Sequence, residues 1–88
     1  MKRSCLYYLY LARCPDNSLY IGSTGLTPGQ RMDRHNNGLG AKWFKQHGLG
    51  TIVYTETYRT FLEVRRREMQ IKKWSRTKKE RLIQGLKP

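Results

Sequence analysis

Apolar residues come first in strand-like runs and later at helical spacing. Leu6-Tyr7-Tyr8-Leu9-Tyr10-Leu11-Ala12 is a run of aliphatic and aromatic side chains, which favour a pleated, half-buried surface. Pro15-Asp16-Asn17-Ser18 reads as a turn, because proline fixes φ and Asp or Asn can bond its own backbone or adopt the left-handed conformation. Ser18-Leu19-Tyr20-Ile21-Gly22 is a second strand, so the two should form a hairpin. If its loop is odd, Pro15 to Asn17, then Tyr10 lies opposite Gly22 and Ala12 opposite Tyr20. Both tyrosine rings then share one sheet face, and Gly22 leaves space beside Tyr10.

Thr27-Pro28-Gly29-Gln30 is a helix start, with Thr27 as N-cap and Pro28 at the first helical position. That helix carries Arg31, Arg34 and His35 and ends at Asn36-Asn37-Gly38. The stretch 40–48 is ambiguous, and residues 41–45 could form a short helix. Residues 50–58 alternate and are β-branched, a third strand. Thr60-Phe61-Leu62-Glu63 is a capping box opening a helix to about Trp74. Ser75 then caps a last helix that runs to about Gln84, before Gly85. The order ββαβαα predicts an α+β fold, a three-stranded antiparallel sheet flanked by helices.

Charge changes the picture. The 88 residues carry 18 Lys and Arg against 6 Asp and Glu, a net charge of +12. This size fits one domain, residues 1–88, with a thin core. Such an excess steers the chain towards a polyanion. Residues 59–88 hold eleven of the basic residues and three glutamates, +8 of that total, with Trp74 among them. Cations with an interleaved aromatic suit a nucleic-acid backbone. Lys72, Lys73, Trp74, Arg76, Lys78, Lys79 and Arg81 are therefore candidate contacts, together with Arg34 and Lys42. No apolar run approaches the ~18 residues that a membrane-spanning helix needs, and no signal peptide is read at the N-terminus.

Cys5 and Cys14 lie nine residues apart. Along one strand that is roughly 30 Å, against the ~7 Å limit between Cα atoms for a disulfide. Two free thiols and a cytoplasmic location are expected. Cys5, Cys14, His35 and His47 lack the close pairing of a structural zinc site.

Two groups stand out chemically. Phe61, Val64, Glu68 and Ile71 fall on one apolar face of the long helix, which aims the Glu68 carboxylate at or beside the sheet. Burying it unpaired would be costly, so it needs a cation, a set of hydrogen bonds or a metal. Arg65, Arg67 or Lys72 on the same helix would be the ordinary partner. Arg31, Arg34 and His35 share one helix surface and could clamp a phosphate, or simply face solvent.

Together these residues resemble the GIY-YIG nuclease superfamily across the whole chain. The carriers are Tyr8-Leu9-Tyr10, Tyr20-Ile21-Gly22, Arg31, His35 and Glu68. The small single-domain bacterial members are the nearest in pattern. They share Tyr8 to Cys14, Leu19 to Gly22, Gly40-Ala41-Lys42 and Glu68-Met69-Gln70-Ile71-Lys72-Lys73. Tyr8 stands where the first motif usually has glycine. Lys73-Trp74-Ser75-Arg76 occupies the region where larger members carry an asparagine.

The resemblance implies phosphodiester hydrolysis in DNA with one divalent ion, Mg²⁺, for which Mn²⁺ can substitute. By position, Glu68 would be the metal ligand and Arg31 would hold the scissile phosphate. Tyr10 or Tyr20 would deprotonate or orient the attacking water, and His35 would assist proton transfer. A phenol with pKa near 10 must be shifted down by the metal or by cations to act as a base at neutral pH. Larger members add DNA-targeting domains; without one, little sequence specificity is expected, and a partner protein for targeting fits. Composition alone leaves RNA open as a substrate. Neither a membrane nor a small-molecule substrate is implied. Two other readings stand beside the nuclease: a nuclease-like module that binds nucleic acid without cutting it, and a structural domain in which Glu68 is ion-paired and the charge only solubilises.

Overall fold

The computed structural model describes residues 6–25, 30 and 47–88. Strands β1 (Tyr7–Arg13), β2 (Leu19–Thr24) and β3 (Thr51–Tyr58) form one antiparallel sheet in the order β2-β1-β3. Helices α1 (Phe61–Lys72) and α2 (Arg76–Ile83) follow. This is the expected α+β architecture. The helix expected after Thr27, the ambiguous segment at 41–45, and the side chains of Arg31, Arg34, His35 and Lys42 lie outside the described residues.

The hairpin register follows from its loop. The Asn17 N–H donates to the Cys14 carbonyl (2.8 Å) and the Cys14 N–H to the Ser18 carbonyl (3.0 Å). Asn17 takes the left-handed conformation (φ 68°), which asparagine tolerates better than most residues. The Ser18 N–H donates back to Asp16 Oδ1 (3.1 Å), an Asx turn. The three-residue loop sets Tyr10 opposite Gly22 and Ala12 opposite Tyr20, as the sequence predicts. On the other edge of β1, Leu11 faces Tyr54 and Ala12 faces Ile52, so Val53 is the extra residue of a β-bulge.

Alternation divides the sheet into two faces. Leu9, Leu11 and Ile21 pack beneath Val64, Ile71 and Leu82 of the helices. Tyr10, Ala12 and Cys14 cluster with Tyr20 and Ile52 on the opposite face. Cys14 is a buried free thiol, and burial pushes its pKa up.

Both helix starts are capped as expected. Thr60 Oγ1 accepts from the Glu63 N–H (3.2 Å) and donates to Glu63 Oε1 (2.8 Å), and Ser75 Oγ accepts from the Lys78 N–H (3.3 Å). α2 ends in a Schellman motif. The Gly85 N–H reaches the Leu82 carbonyl and the Leu86 N–H the Arg81 carbonyl, with Gly85 at φ 78°. One expectation needs correcting. Val64, Glu68 and Ile71 are buried, but Phe61 is 60% exposed. α1 starts beyond the final Tyr7–Tyr58 strand pair, and the Phe61 ring meets the Tyr7 ring edge-on at 5.9 Å.

Carboxylates tie the helices to the sheet. Glu56 on β3 accepts from Arg67 Nε (2.9 Å) and Nη2 (3.0 Å), and from the Tyr54 and Tyr58 hydroxyls (2.6 Å each). Burial, then the hydrogen bond to Glu56, pushes both phenols up to about 12. Glu80 on α2 accepts a two-pronged bond from Arg13 at the end of β1 (2.6 and 2.9 Å) and another from Arg76 Nε (2.8 Å). Arg76 also donates to the Asn17 carbonyl, so α2 is fastened to the hairpin turn.

The hydrogen bond from Arg13 lowers the Glu80 carboxyl to about 2, from a reference of 4.5. A depressed carboxyl stabilises the fold fully above its unfolded pKa, and that contribution is lost as pH falls towards the folded one. The Tm should therefore drop between about pH 4.5 and pH 2. Glu80→Gln should lower the Tm at pH 7 and flatten the acid limb, leaving the part due to Asp16, lowered to about 2, and to Glu56 and Glu68, also lowered. An acid limb identical to wild type would contradict this. Glu56→Gln, measured by urea unfolding at neutral pH, should cost about 1.5–3 kcal/mol, the worth of hydrogen bonds to a charged group; a loss under about 0.5 kcal/mol, as at an ordinary surface site, would contradict it.

Candidate active site

Glu68 sits in the third turn of α1, between Val64 and Ile71, and is only 4% exposed. It points to β2, not to β3. Ser23 Oγ donates to Glu68 Oε1 (2.6 Å), Arg65 Nη1 donates to the same oxygen (2.8 Å), and Lys72 Nζ reaches Oε2 (2.8 Å). Burial raises the carboxyl pKa, but the bonds from Lys72 and Ser23 and the charges of Lys72 and Arg65 more than offset it. The net shift is downward, so Glu68 is ionised at neutral pH. Two of the three expected partners are thus present. Arg67, one residue before Glu68, leaves the helix on the β3 side and pairs with Glu56 instead.

Ser23 was not singled out from the sequence. Its signal is register: it follows Gly22 directly and pairs with Leu9, which fixes it on the face that α1 covers.

Tyr10 and Tyr20 lie on the other face, their ring centroids 6.1 Å apart. Tyr10 is 1% exposed. Its ring runs from central strand β1 across to edge strand β2, over Gly22. A Cβ on Gly22 would come within 2.5 Å of the Tyr10 hydroxyl oxygen and 2.7 Å of Cζ. Glycine is therefore required here by close approach, not by backbone conformation. The consequence is a junction at the β2 edge. The Tyr10 hydroxyl lies over Gly22 on one face, and the next residue, Ser23, holds Glu68 on the other.

A carboxylate oxygen is a hard donor. Ser23 and Arg65 both take Oε1 and Lys72 takes Oε2, so of about four acceptor sites one is left on Oε2. No group of three His, Cys, Asp or Glu converges among the described residues. A metal ion at Glu68 would rest on this one carboxylate plus water and substrate oxygens, an arrangement Mg²⁺ tolerates. The donor set fits such an ion if Lys72 yields room at Oε2.

The basic candidates divide by occupation. Lys72 is on Glu68, Arg76 bridges Glu80 and the Asn17 carbonyl, and Arg81 Nε donates to the Lys87 carbonyl (2.8 Å). Trp74 packs on the helical core with Arg67 (5.0 Å) and Lys78 (4.8 Å) over its ring. It therefore holds cations in place rather than offering a bare ring. Lys73 lines a shallow groove with Arg66, Met69, Gln70 and Trp74, and Lys79 is half-buried.

A further trio, Asp16, Ser18 and His47, has the composition of a nucleophile relay. However, His47 Nδ1 faces both Asp16 Oδ2 (2.7 Å) and Ser18 Oγ (3.1 Å). A relay needs the acid and the nucleophile on different ring nitrogens. These bonds tie the hairpin turn to the chain entering β3.

Comparison with known proteins matches this geometry to a family. The model of the GIY-YIG catalytic domain matches residues 6–81. UPF0213 proteins of Staphylococcus aureus strains Mu3 and N315 are each 40% identical over 77 residues, covering 88% of this chain and 93% of theirs. The solution NMR structure of a UPF0213 protein from Bacillus halodurans superposes with a TM-score of 0.58 at 34% identity, over 90% of this chain and 83% of that one. With the motif tyrosines on one face of β1 and β2 and the helical glutamate against β2, the chain belongs to the GIY-YIG nuclease superfamily.

Proposed function

We propose that the chain is a metal-dependent endonuclease that hydrolyses phosphodiester bonds in DNA with little sequence specificity. The observation that carries this reading is the junction at β2. A buried, ionised carboxylate and a motif phenol approach one edge strand from opposite faces, at adjacent residues Gly22 and Ser23. Among the described residues β2 is an edge strand of the sheet, so both groups lie beside one strand at the sheet's margin.

In this reading Glu68 holds the metal ion through Oε2, while Ser23 fixes the carboxylate through Oε1. A bound Mg²⁺ supplies Lewis acidity and makes a coordinated water more acidic. Tyr10 and Tyr20 orient or deprotonate the attacking water from the other face. Gly22 keeps the Tyr10 hydroxyl at the strand edge. By family position, Arg31 holds the scissile phosphate with its guanidinium fork and His35 assists proton transfer. The basic side chains of α1 and α2 contribute non-specific backbone attraction.

The second reading is a module that binds nucleic acid without cutting it. The observation favouring it is that three donors already occupy Glu68. A nicking assay on supercoiled plasmid with Mg²⁺, Mn²⁺ or EDTA separates the two. The nuclease reading expects metal-dependent nicking that falls at least about 100-fold in Glu68→Gln, the upper end of what outer-shell changes alone cost at metal sites, with DNA binding retained. Binding without cleavage under either metal would establish the module instead. Gly22→Ala should destabilise the fold by about 1–3 kcal/mol through overpacking and lose nicking while DNA is still bound. Full activity in Gly22→Ala would remove the Tyr10 hydroxyl from the site.

A further inference from the structure

Glu68 is 4% exposed, yet the two cations that hold it are not buried with it: the side chains of Arg65 and Lys72 are 47% and 53% exposed. They stand three residues before and four residues after the glutamate on α1, flanking it on the β2 side of the helix. Their charged heads therefore lie between the carboxylate and solvent. An ion approaching Oε2 meets the Lys72 ammonium, 2.8 Å from that oxygen. The other two helix-binding carboxylates differ. Glu56 is served by Arg67 at 22% side-chain exposure; Glu80 has the exposed Arg76 (47%) beside Arg13 (27%), but is itself 28% exposed where Glu68 is buried.

Long aliphatic stems let a Lys or Arg head swing between two positions without moving its helix. Both heads suit phosphate as well as carboxylate. We propose that Lys72 and Arg65 are shared between Glu68 and the substrate backbone, so that phosphate binding uncovers Glu68 for a metal ion and metal binding releases both cations to the phosphate. This inference deepens the nuclease reading and rests on it. It assigns Lys72 a role as a gate to Glu68 in addition to a contact for DNA. Thermodynamic linkage makes the effect reciprocal: metal and DNA each tighten the other by one common factor, ordinarily about 5–150-fold.

The gate can be read without catalysis. The affinity of a short fluorescein-labelled duplex is measured by anisotropy, in EDTA and at constant ionic strength. Glu68→Gln frees the two cations and should tighten binding about tenfold, within the ordinary range of such couplings. Glu63→Gln removes the same charge from an exposed site on α1 and should do much less. The gain should shrink in Glu68→Gln/Lys72→Met and vanish when Arg65 is replaced by Met as well, a non-additivity diagnostic of shared partners. Equal gains in Glu68→Gln and Glu63→Gln, or a gain undiminished by loss of Lys72 and Arg65, would overturn the gate.

A second readout uses the exposed substitution alone. Free Mn²⁺ is followed by its paramagnetic resonance without DNA. Lys72→Met should bind Mn²⁺ about tenfold more tightly than wild type, and Glu68→Gln should abolish that gain. Unchanged Mn²⁺ affinity in Lys72→Met would overturn the proposal. The nuclease reading would still stand if Glu68-dependent nicking were present.

Discussion

The architecture depends on how a +12 chain disposes of a few carboxylates. The apolar seam between sheet and helices is short: Leu9, Leu11 and Ile21 below, Val64, Ile71 and Leu82 above. Three glutamates complete the attachment. Glu56 secures α1 over β3 through Arg67, Glu68 secures it over β2 through Ser23, and Glu80 secures α2 to the end of β1 through Arg13. Each buried or half-buried acid is compensated by charge-assisted hydrogen bonds, the condition under which a carboxylate can leave water.

These three acids are not equivalent. Glu56 is enclosed by two phenols and a guanidinium lying on Trp74, so its surroundings are rigid and complete. Glu80 is clasped by a guanidinium fork that also joins the hairpin turn. Glu68 alone of the three combines near-complete burial with partners that reach into solvent. The same position falls within the span matched by the GIY-YIG catalytic-domain model. A group held ionised by movable cations suits a ligand better than one locked into the scaffold, and this physical difference separates the candidate site from its structural neighbours.

Much of this was legible in the sequence because it is local. The odd loop at Pro15–Asn17 set the pairing of Tyr10 with Gly22, and the caps at Thr60 and Ser75 set both helix starts. Helical spacing put Glu68 on the buried face. What escaped depends on how elements pass one another. Ser23 became a partner only once β2 was placed under α1, and Arg67 turned to Glu56 because the helix lies across β1 with Glu56 on its β3 side and Ser23 on its β2 side. The bulge at Val53 leaves no mark in the alternation of β3. The exposure of Phe61 depends on where the sheet ends. The opposite placement of the tyrosines and Glu68 also needed the assembled sheet, since only adjacency at Gly22 and Ser23 brings the two faces to one edge.

The nuclease reading requires a metal ion held at Glu68, against the edge of β2. Paramagnetic broadening by Mn²⁺ in an amide NMR spectrum of the DNA-bound protein tests it most directly. Selective loss of the Gly22, Ser23 and Glu68 signals, restored by Glu68→Gln, is the predicted result. Broadening centred elsewhere, or unchanged by Glu68→Gln, would contradict it.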